Sequence, residues 1–264
     1  MQVNGIVTFI TDFGNRDPYA GIMKGIVLGA YPEARIVDIT HEIPPHDIIN
    51  GAFMLVRSYR FFPEGTVHVA IVDPGVGGRR KNIAIKTNRY YFVGPDNGIL
   101  SIAAEMEGND ETRIIQNPPF LLDKISDTFH GRDVFAPCAG HLSAGKSFEA
   151  VGPVVKRHKY LDFPSVKREG NVLTGEVVSV DSFGNMITNI SDHAFRSFFG
   201  KRKFEIFFGT ERFTRIMQRY IDVPRGMPLV LIGSCGFLEI SMNEGNAADY
   251  FMTSIGTPVT VRKY

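Results

Sequence analysis

The sequence predicts an α/β protein: an N-terminal α/β domain with a largely parallel sheet, then a smaller C-terminal antiparallel β domain, a sandwich or a barrel. Three observations predict it. From Ile6 to Val72, apolar strand-like runs alternate with helical periods, the β-α-β-α-β rhythm of a parallel sheet with helices on its faces. After Gly170 the pattern changes to short alternating strands separated by turn residues. Between the two, Pro153, the basic run Lys156-Arg157-His158-Lys159 and Pro164 read as a linker, which places the domains at 1–163 and 170–264. A chain of 264 residues is long enough for two cores of unequal size.

The elements follow in order. Ile6 to Phe13 is a buried-type strand. Tyr19 to Tyr31 is helical by period, with Ile22, Met23, Ile26, Val27 and Ala30 on one side, and Pro32 stops it. Arg35 to Thr40 is a second strand, and the loop His41-Glu42-Ile43-Pro44-Pro45-His46 is stiffened by its prolines. Asp47 is placed to cap a helix whose apolar positions include Ile48, Ile49, Ala52, Phe53, Val56 and Tyr59. Thr66 to Val72 is a third strand. Asn82–Lys86 and Tyr90–Val93 are short strands, and Gly94-Pro95-Asp96-Asn97-Gly98 is a turn. Ile99–Met106 reads as a helix and Thr112–Ile115 as a strand. Asp133 is placed to cap a helix over Val134–Leu142, where Pro137 is tolerable only near the first turn. The second domain holds strands at Val172–Val180, Met186–Ile190, Lys203–Phe208, Pro228–Ile232, Phe237–Met242 and Pro258–Arg262. Short helices are expected at Ser191–Phe199 and Thr214–Tyr220.

Composition narrows the function. Charged residues make up 22% and apolar ones 44%, as in ordinary globular proteins. A formal net charge of +1 gives no global pull toward nucleic acid or membrane, and neither is expected as a partner. No apolar run reaches membrane-spanning length, since Lys24 interrupts the best early candidate. Met1 to Gly5 lacks the basic region and apolar core of a secretory signal. The two cysteines, Cys138 and Cys235, form no Cys-x-x-Cys motif; reduced thiols and a cytoplasmic location are the expectation.

The candidate chemistry centres on Ile71-Val72-Asp73-Pro74-Gly75-Val76-Gly77-Gly78-Arg79-Arg80. An apolar strand delivers a carboxylate to its C-terminal end, and a loop with few side chains follows, which is how an α/β sheet makes room for a ligand. The loop fails the P-loop pattern, because Arg79-Arg80 follows where Lys-Ser/Thr is needed. It fails the dinucleotide pattern, because Arg80 stands in place of the third Gly. Asp12 falls at the end of another strand of the same sheet. Asp73 and Arg80 can pair across the loop, either as a structural ion pair or as a site in which the cation favours the charged carboxylate. His130, in a polar loop before a helix, can shuttle protons or be merely polar. Asp12 and Asp17 flank a turn and can hold hydroxyl or ammonium groups, or serve the turn alone. His41, His46 and His130 lack metal-ligand spacing, so no metal site is expected.

Taken together, seven ordered stretches resemble the S-adenosyl-L-methionine (SAM) hydroxide adenosyltransferases, the hydrolase branch of the family that also holds the fluorinase and chlorinase. They are Thr11-Asp12-Phe13-Gly14 with Asp17; Asp38 to Ile43; Val72 to Gly77 with Arg80; Gly94 to Gly98; Thr128-Phe129-His130-Gly131-Arg132-Asp133; Asp181-Ser182-Phe183-Gly184-Asn185 through Ile190; and Ser234 through Glu239 to Ala248. The resemblance implies that the C-terminal domain is barrel-like. It also implies a homotrimer whose active sites lie at subunit interfaces. The reaction it implies is hydrolysis of SAM to adenosine and L-methionine by attack of water or hydroxide on ribose C5′, with SAM as substrate and no cofactor. On the same basis the water-activating set falls on Asp73, Arg80 and His130, ribose on Asp12 and the methionine amino group on Asp17. Remaining substrate contacts fall on Asp181, Asn185, Ser234, Glu239 and Met242. His130 is the expected proton acceptor, and the loop glycines are expected to clear space beside C5′. The halogenases carry Tyr at the position of Asp73 and a halide-binding Ser near His130, so this chain resembles the hydrolases. A halide-dependent adenosyl transferase and a non-catalytic SAM- or adenosine-binding module are the alternatives.

Overall fold

The structure, a computed structural model, describes the backbone of residues 1–264 and every side chain except those of residues 109 and 110. The chain divides into two compact units, Met1–Asp162 and Phe163–Tyr264.

The first unit runs β1 (Ile6–Thr11), α1 (Tyr19–Ala30), β2 (Arg35–Thr40), α2 (Ile48–Ser58), β3 (Val67–Ile71), β4 (Asn82–Thr87), β5 (Tyr91–Pro95), α3 (Ser101–Met106), β6 (Asn109–Ile114) and α4 (Ala136–Ser143). Its sheet has the order β2-β1-β3-β5-β4-β6; β1 pairs in parallel with both β2 and β3, β3 with β5, and only the pairings of β4 are antiparallel. All five residues of β3 are buried, as the unbroken run Val-His-Val-Ala-Ile requires of a central strand covered on both faces. Asp47 caps α2 as expected, accepting a hydrogen bond from the Asn50 amide at 2.9 Å. α1 buries Ala20, Met23 and Val27 and packs on α4, where a Cβ on Gly140 would lie 2.8 Å from that of Ala30. Gly140 is thus the residue that lets the two helices approach.

His68 of β3 is completely buried. Its Nδ1 lies 2.8 Å from Thr8 Oγ1, and its ring stacks on Phe92 with edge contacts to Tyr59 and Tyr90. Burial pushes its pKa down to about 3. The unfolded chain therefore takes up this proton first, at about 6.5, so the stability contribution is complete above that pH and declines as pH falls toward the folded value. Urea unfolding at pH 5 should show a loss of roughly 2 kcal/mol relative to pH 7 from this group. His68→Phe should shrink that pH difference, and an unchanged difference would assign the acid sensitivity elsewhere.

The second unit runs β7 (Lys167–Glu169), β8 (Val172–Val180), β9 (Met186–Ser191), α5 (Asp192–Phe199), β10 (Phe204–Phe208), β11 (Glu211–Phe213), β12 (Pro228–Ile232), β13 (Phe237–Met242), α6 (Ala247–Phe251) and β14 (Pro258–Lys263). The ladder β11-β10-β14-β8-β9-β13-β12 is antiparallel throughout, with β7 added beside β8. A bridge between Met217, just past β11, and Leu231 of β12 links the two ends of this ladder and makes the sheet barrel-like. Val177, Met186, Ile190, Phe208, Val230, Ile240 and Val261 fill its core, with Phe195 and Phe198 of α5 packed in.

Two expectations are corrected. Thr214–Tyr220 is not a helix; the Met217 amide donates instead to the Val230 carbonyl at 2.8 Å, and only Tyr220–Asp222 form a helical turn. Strand pairing overrides the local apolar spacing here. Asp133 is not a helix cap either, because the helical path already begins at Gly131 with a π-type turn through Phe135, leading into α4. Among the described residues no helix is long and apolar enough to cross a membrane.

Candidate active site

β1 and β3 are adjacent and parallel, with Thr11 paired to Ile71, so Asp12 and Asp73 leave the sheet at the same edge. Both line a cavity of about 280 Å³, together with His46, Phe129 and His130. The loop after β2 is tied to this edge by the Ile43 amide, which donates to the Thr11 carbonyl at 3.3 Å, and by the Thr11 Oγ1–His41 Nδ1 contact at 2.8 Å. Asp12 Oδ2 accepts the His46 amide at 3.0 Å and holds His46 in the left-handed region at φ +70°. A non-glycine residue adopts that conformation only when its surroundings enforce it. Asp17 is exposed and does not line the cavity.

Asp73, Arg80 and His130 come together, although His130 is 50 residues from Arg80 in the chain. Arg80 Nε donates to Asp73 Oδ1 at 3.0 Å and Nη2 to Oδ2, a two-pronged pair whose side chains are only 10% and 7% exposed. Nη2 also donates to His130 Nδ1 at 2.8 Å, and Nη1 to Asn82 Oδ1. The guanidinium lies over the Phe135 ring, 5.6 Å from its centroid. A guanidinium offers only donors, and its 2.8 Å contact with Nδ1 is closer than the 3.2 Å approach of the acceptor Asn82 Oδ1 to the same atom, so the geometry favours the neutral tautomer with the Nδ1 lone pair toward Arg80 and the proton on Nε2. Burial, and then the charge of Arg80, lower the His130 pKa. The expected role as proton acceptor is therefore not the one this geometry favours: Nδ1 is occupied, Nε2 is already protonated, and the ring is a weaker base than usual. The arrangement can instead offer donors to an oxygen nucleophile.

The loop that bears His130 is shaped from behind. Asp133, fully buried, accepts the Ser126 amide at 2.7 Å and pairs with Arg132. Burial pushes its carboxyl pKa up, but those partners outweigh it and hold it below the usual range. From the other side, Gly77 at φ +72° lies so close that a Cβ would sit 2.2 Å from the Asp127 carbonyl oxygen. The glycine here makes room for a second backbone, which is how the Asp73–Arg80 loop meets the His130 loop. Asn97, in the turn after β5, donates to the Val72 carbonyl at 2.7 Å and fixes the start of the loop.

The residues read from the sequence for this end of the sheet, Asp12, Asp17, Asp73, Arg80 and His130, are all polar, and they miss the aromatic wall. Phe13, Tyr19 and Phe129 pack edge to face at 5.2–6.0 Å between centroids and line the same cavity. Phe13 and Phe129 stand inside the stretches that carry the resemblance, which was the available signal. Nothing local marks Asn82.

The second unit has its own cavity, about 520 Å³, lined by Asp181, Phe183, Asn185, Tyr220, Met242 and the Asn243–Gly245 turn. Asp181 Oδ1 accepts the amides of Phe183 and Asn185 at 2.9 Å, and Asn185 Nδ2 donates to Oδ2 at 3.0 Å, so the β8–β9 turn is locked. Phe183, 75% exposed, is held at the rim. Glu239 and Ser234 are not part of this lining. Glu239 is buried behind it, accepting the Tyr220 hydroxyl at 2.8 Å and Ser241 Oγ at 2.7 Å. Burial and this bond raise the Tyr220 pKa to about 12, so the phenol stays a donor. Ser234 lies in the β12–β13 turn, closed by the Gly236 amide on the Gly233 carbonyl. Among the described residues no group of three or more His, Cys, Asp or Glu could hold a metal ion.

A parallel-sheet unit with a polar cluster at its strand ends, followed by a barrel-like β unit, defines a two-part α/β protein with small-molecule cavities. Residues 7–152 match the SAM hydroxide adenosyltransferase N-terminal domain, and residues 175–260 match the corresponding C-terminal domain. The chain belongs to the SAM hydroxide adenosyltransferase family. It is 34% identical over 261 residues to the (R)-S-adenosyl-L-methionine hydrolase of Thermus thermophilus, covering 96% of this chain and 98% of that one. A fluorinase of Actinoplanes sp. is more distant, 27% identical over 297 residues with both chains fully covered. The crystal structure of an uncharacterized conserved protein from Thermotoga maritima superimposes with a TM-score of 0.91 at 36% identity, covering 97% of this chain and 99% of that one.

Proposed function

We propose that the protein hydrolyses SAM to adenosine and L-methionine by attack of water or hydroxide on ribose C5′. The observation that carries this is the Asp73–Arg80–His130 cluster, of which Asp73 and His130 line the cavity and Arg80 stands behind them, bonded to both. The sulfonium is already a good leaving group and needs no acid at sulfur. One O–C5′ bond forms, the C5′–S bond breaks with its electron pair going to sulfur, and one proton is released. What the protein must supply is an oxygen held in line behind C5′, and positioning of that kind can be worth several kcal/mol. When hydroxide meets a sulfonium, opposite charges cancel in the transition state, so a pocket that excludes bulk water favours reaction.

In this reading Asp73 and His130 Nε2–H hold the attacking oxygen, Arg80 holds Asp73 in place, and Asp12 holds the ribose. Asp17 takes the methionine ammonium. Asp181, Asn185 and Met242 line the second cavity and contact the rest of the substrate, and Glu239 acts there by anchoring Tyr220. Ser234 contacts the methionine end from its turn. We read the protein as a cytoplasmic homotrimer with its active sites at subunit interfaces. The unpaired thiols Cys138 and Cys235 fit a reducing compartment, and a native mass three times that of one chain is the expected result for the assembly.

Incubation with SAM and chloride in ¹⁸O-water tests the reaction. Adenosine carrying ¹⁸O at its 5′-hydroxyl, with unlabelled methionine, is expected. Chloro-adenosine would identify a halide-dependent transferase, and binding without turnover would identify a non-catalytic module.

A further inference from the structure

We propose that Asn82 is a positioning residue: its side-chain oxygen ties Arg80 to His130 and sets which imidazole nitrogen faces the cavity. The inference rests on the reading of Asp73, Arg80 and His130 as the reacting cluster. Arg80 and Asp73 lie at the ends of a glycine-rich loop, and His130 lies on another loop. Asn82 is the first residue of β4; it stands opposite Pro95 of β5 in the sheet, and its carbonyl accepts the Ile115 amide at 2.9 Å. It is therefore the member of the cluster with a backbone fixed in the sheet, and rigid elements hold a site more accurately than loops.

Its Oδ1 accepts from Arg80 Nη1 and lies 3.2 Å from His130 Nδ1. The amide cannot be turned over, because Nδ2 would then set donors against the donors of Arg80. With Asp73 on Nε and Nη2 and Asn82 on Nη1, the guanidinium is held from two sides. Its remaining Nη2–H is thereby aimed at His130 Nδ1, and the ring turns Nε2–H to the cavity. If the ring gains a second proton, the new Nδ1–H finds Oδ1 within reach while the Arg80 contact becomes repulsive. Asn82 thus also stabilises the cationic ring. The charged groups acting on His130 are Arg80, which disfavours its protonation, and Asp73, Asp133 and Asp127, which favour it; Asn82 is the uncharged member that decides between the two hydrogen-bonding patterns.

The test has two arms. Long-range ¹H–¹⁵N spectra of the imidazoles, with His130→Ala to assign the signal, should show the Nε2–H tautomer in the parent near neutral pH. They should show a mixture with Nδ1–H in Asn82→Ala. This arm needs no turnover, so it stands or fails separately from the SAM reaction. In the second arm, Asn82→Ala should lower kcat about 10- to 100-fold with KM changed no more than about threefold, the pattern of a misplaced reacting group. Asn82→Asp should move the acid limb of the pH profile upward and Asn82→Ala downward, opposite shifts that a loss of packing would not give. A parent ring in the Nδ1–H form, or the same tautomer and the same pH limb in all three proteins, would overturn the proposal.

Discussion

Replacing Asp73 with Asn is expected to cut adenosine release at saturating SAM by a factor on the order of 10² to 10⁴, the range for losing a positioned polar group at the reacting centre. The substitution keeps shape and size. It removes the charge that holds Arg80, whose side chain is 10% exposed, and it places an amide N–H against the arginine's own donors. Breaking one side of a buried pair costs on the order of 3–5 kcal/mol, because the remaining charge is left without compensation. The effect on turnover should outlast any effect on folding: where circular dichroism shows the variant still folded, kcat should remain low. A folded Asp73→Asn variant with parental kcat would remove Asp73 from the reacting cluster.

Gly77→Ala should give the second large effect, and it separates two explanations for the loop's glycines. The residue sits at φ +72°, where an L side chain costs about 1–2 kcal/mol. Its new Cβ would also press on the Asp127 carbonyl, and backbone cannot swing aside as a flexible side chain can. Relief requires the two loops to separate, which pulls Arg80 from His130. Denaturant unfolding should show about 2 kcal/mol or more of lost stability, and kcat should fall with it. Gly75→Ala is the matched control. A Cβ there meets Arg80 Cγ at 3.6 Å, an ordinary contact, and Gly75 does not need the left-handed region. Its stability should stay within about 0.5 kcal/mol of the parent. If both variants behaved alike, loop-to-loop packing would not be the reason for Gly77. The space these glycines provide is thus for a neighbouring backbone at Gly77, where the sequence had suggested room beside the substrate carbon.

The division between what was legible and what was not follows the range of the interactions. Strand and helix periods, the Asp47 cap, the β8–β9 and β12–β13 turns and the delivery of Asp12 and Asp73 to strand ends depend on residues a few positions apart. The sequence alone determined them. It also determined the family, because seven ordered stretches carry the resemblance. The short edge strands β7 and β11 and the helix α6 were missed, since three to five residues give too little period to read.

Only the tertiary structure decided the partners. Asp133 looked like a helix cap because it precedes an apolar helical run, but it is spent on Ser126 and Arg132 and shapes the His130 loop. Thr214–Tyr220 had helical spacing, but the Met217–Leu231 bridge takes its backbone. Tyr220 becomes a cavity wall through Glu239, 19 residues away. Asn82 and His130 are 48 residues apart, and no periodicity connects them. They meet because β4 inserts antiparallel beside β5 and because Gly77 lets one loop seat against another. The sequence names the groups that can do the chemistry, since carboxylate, guanidinium and imidazole are fixed by residue type. Which lone pair is taken and which N–H faces the cavity depend on where sheet order brings distant atoms within 3 Å, and that is settled only when the chain has packed.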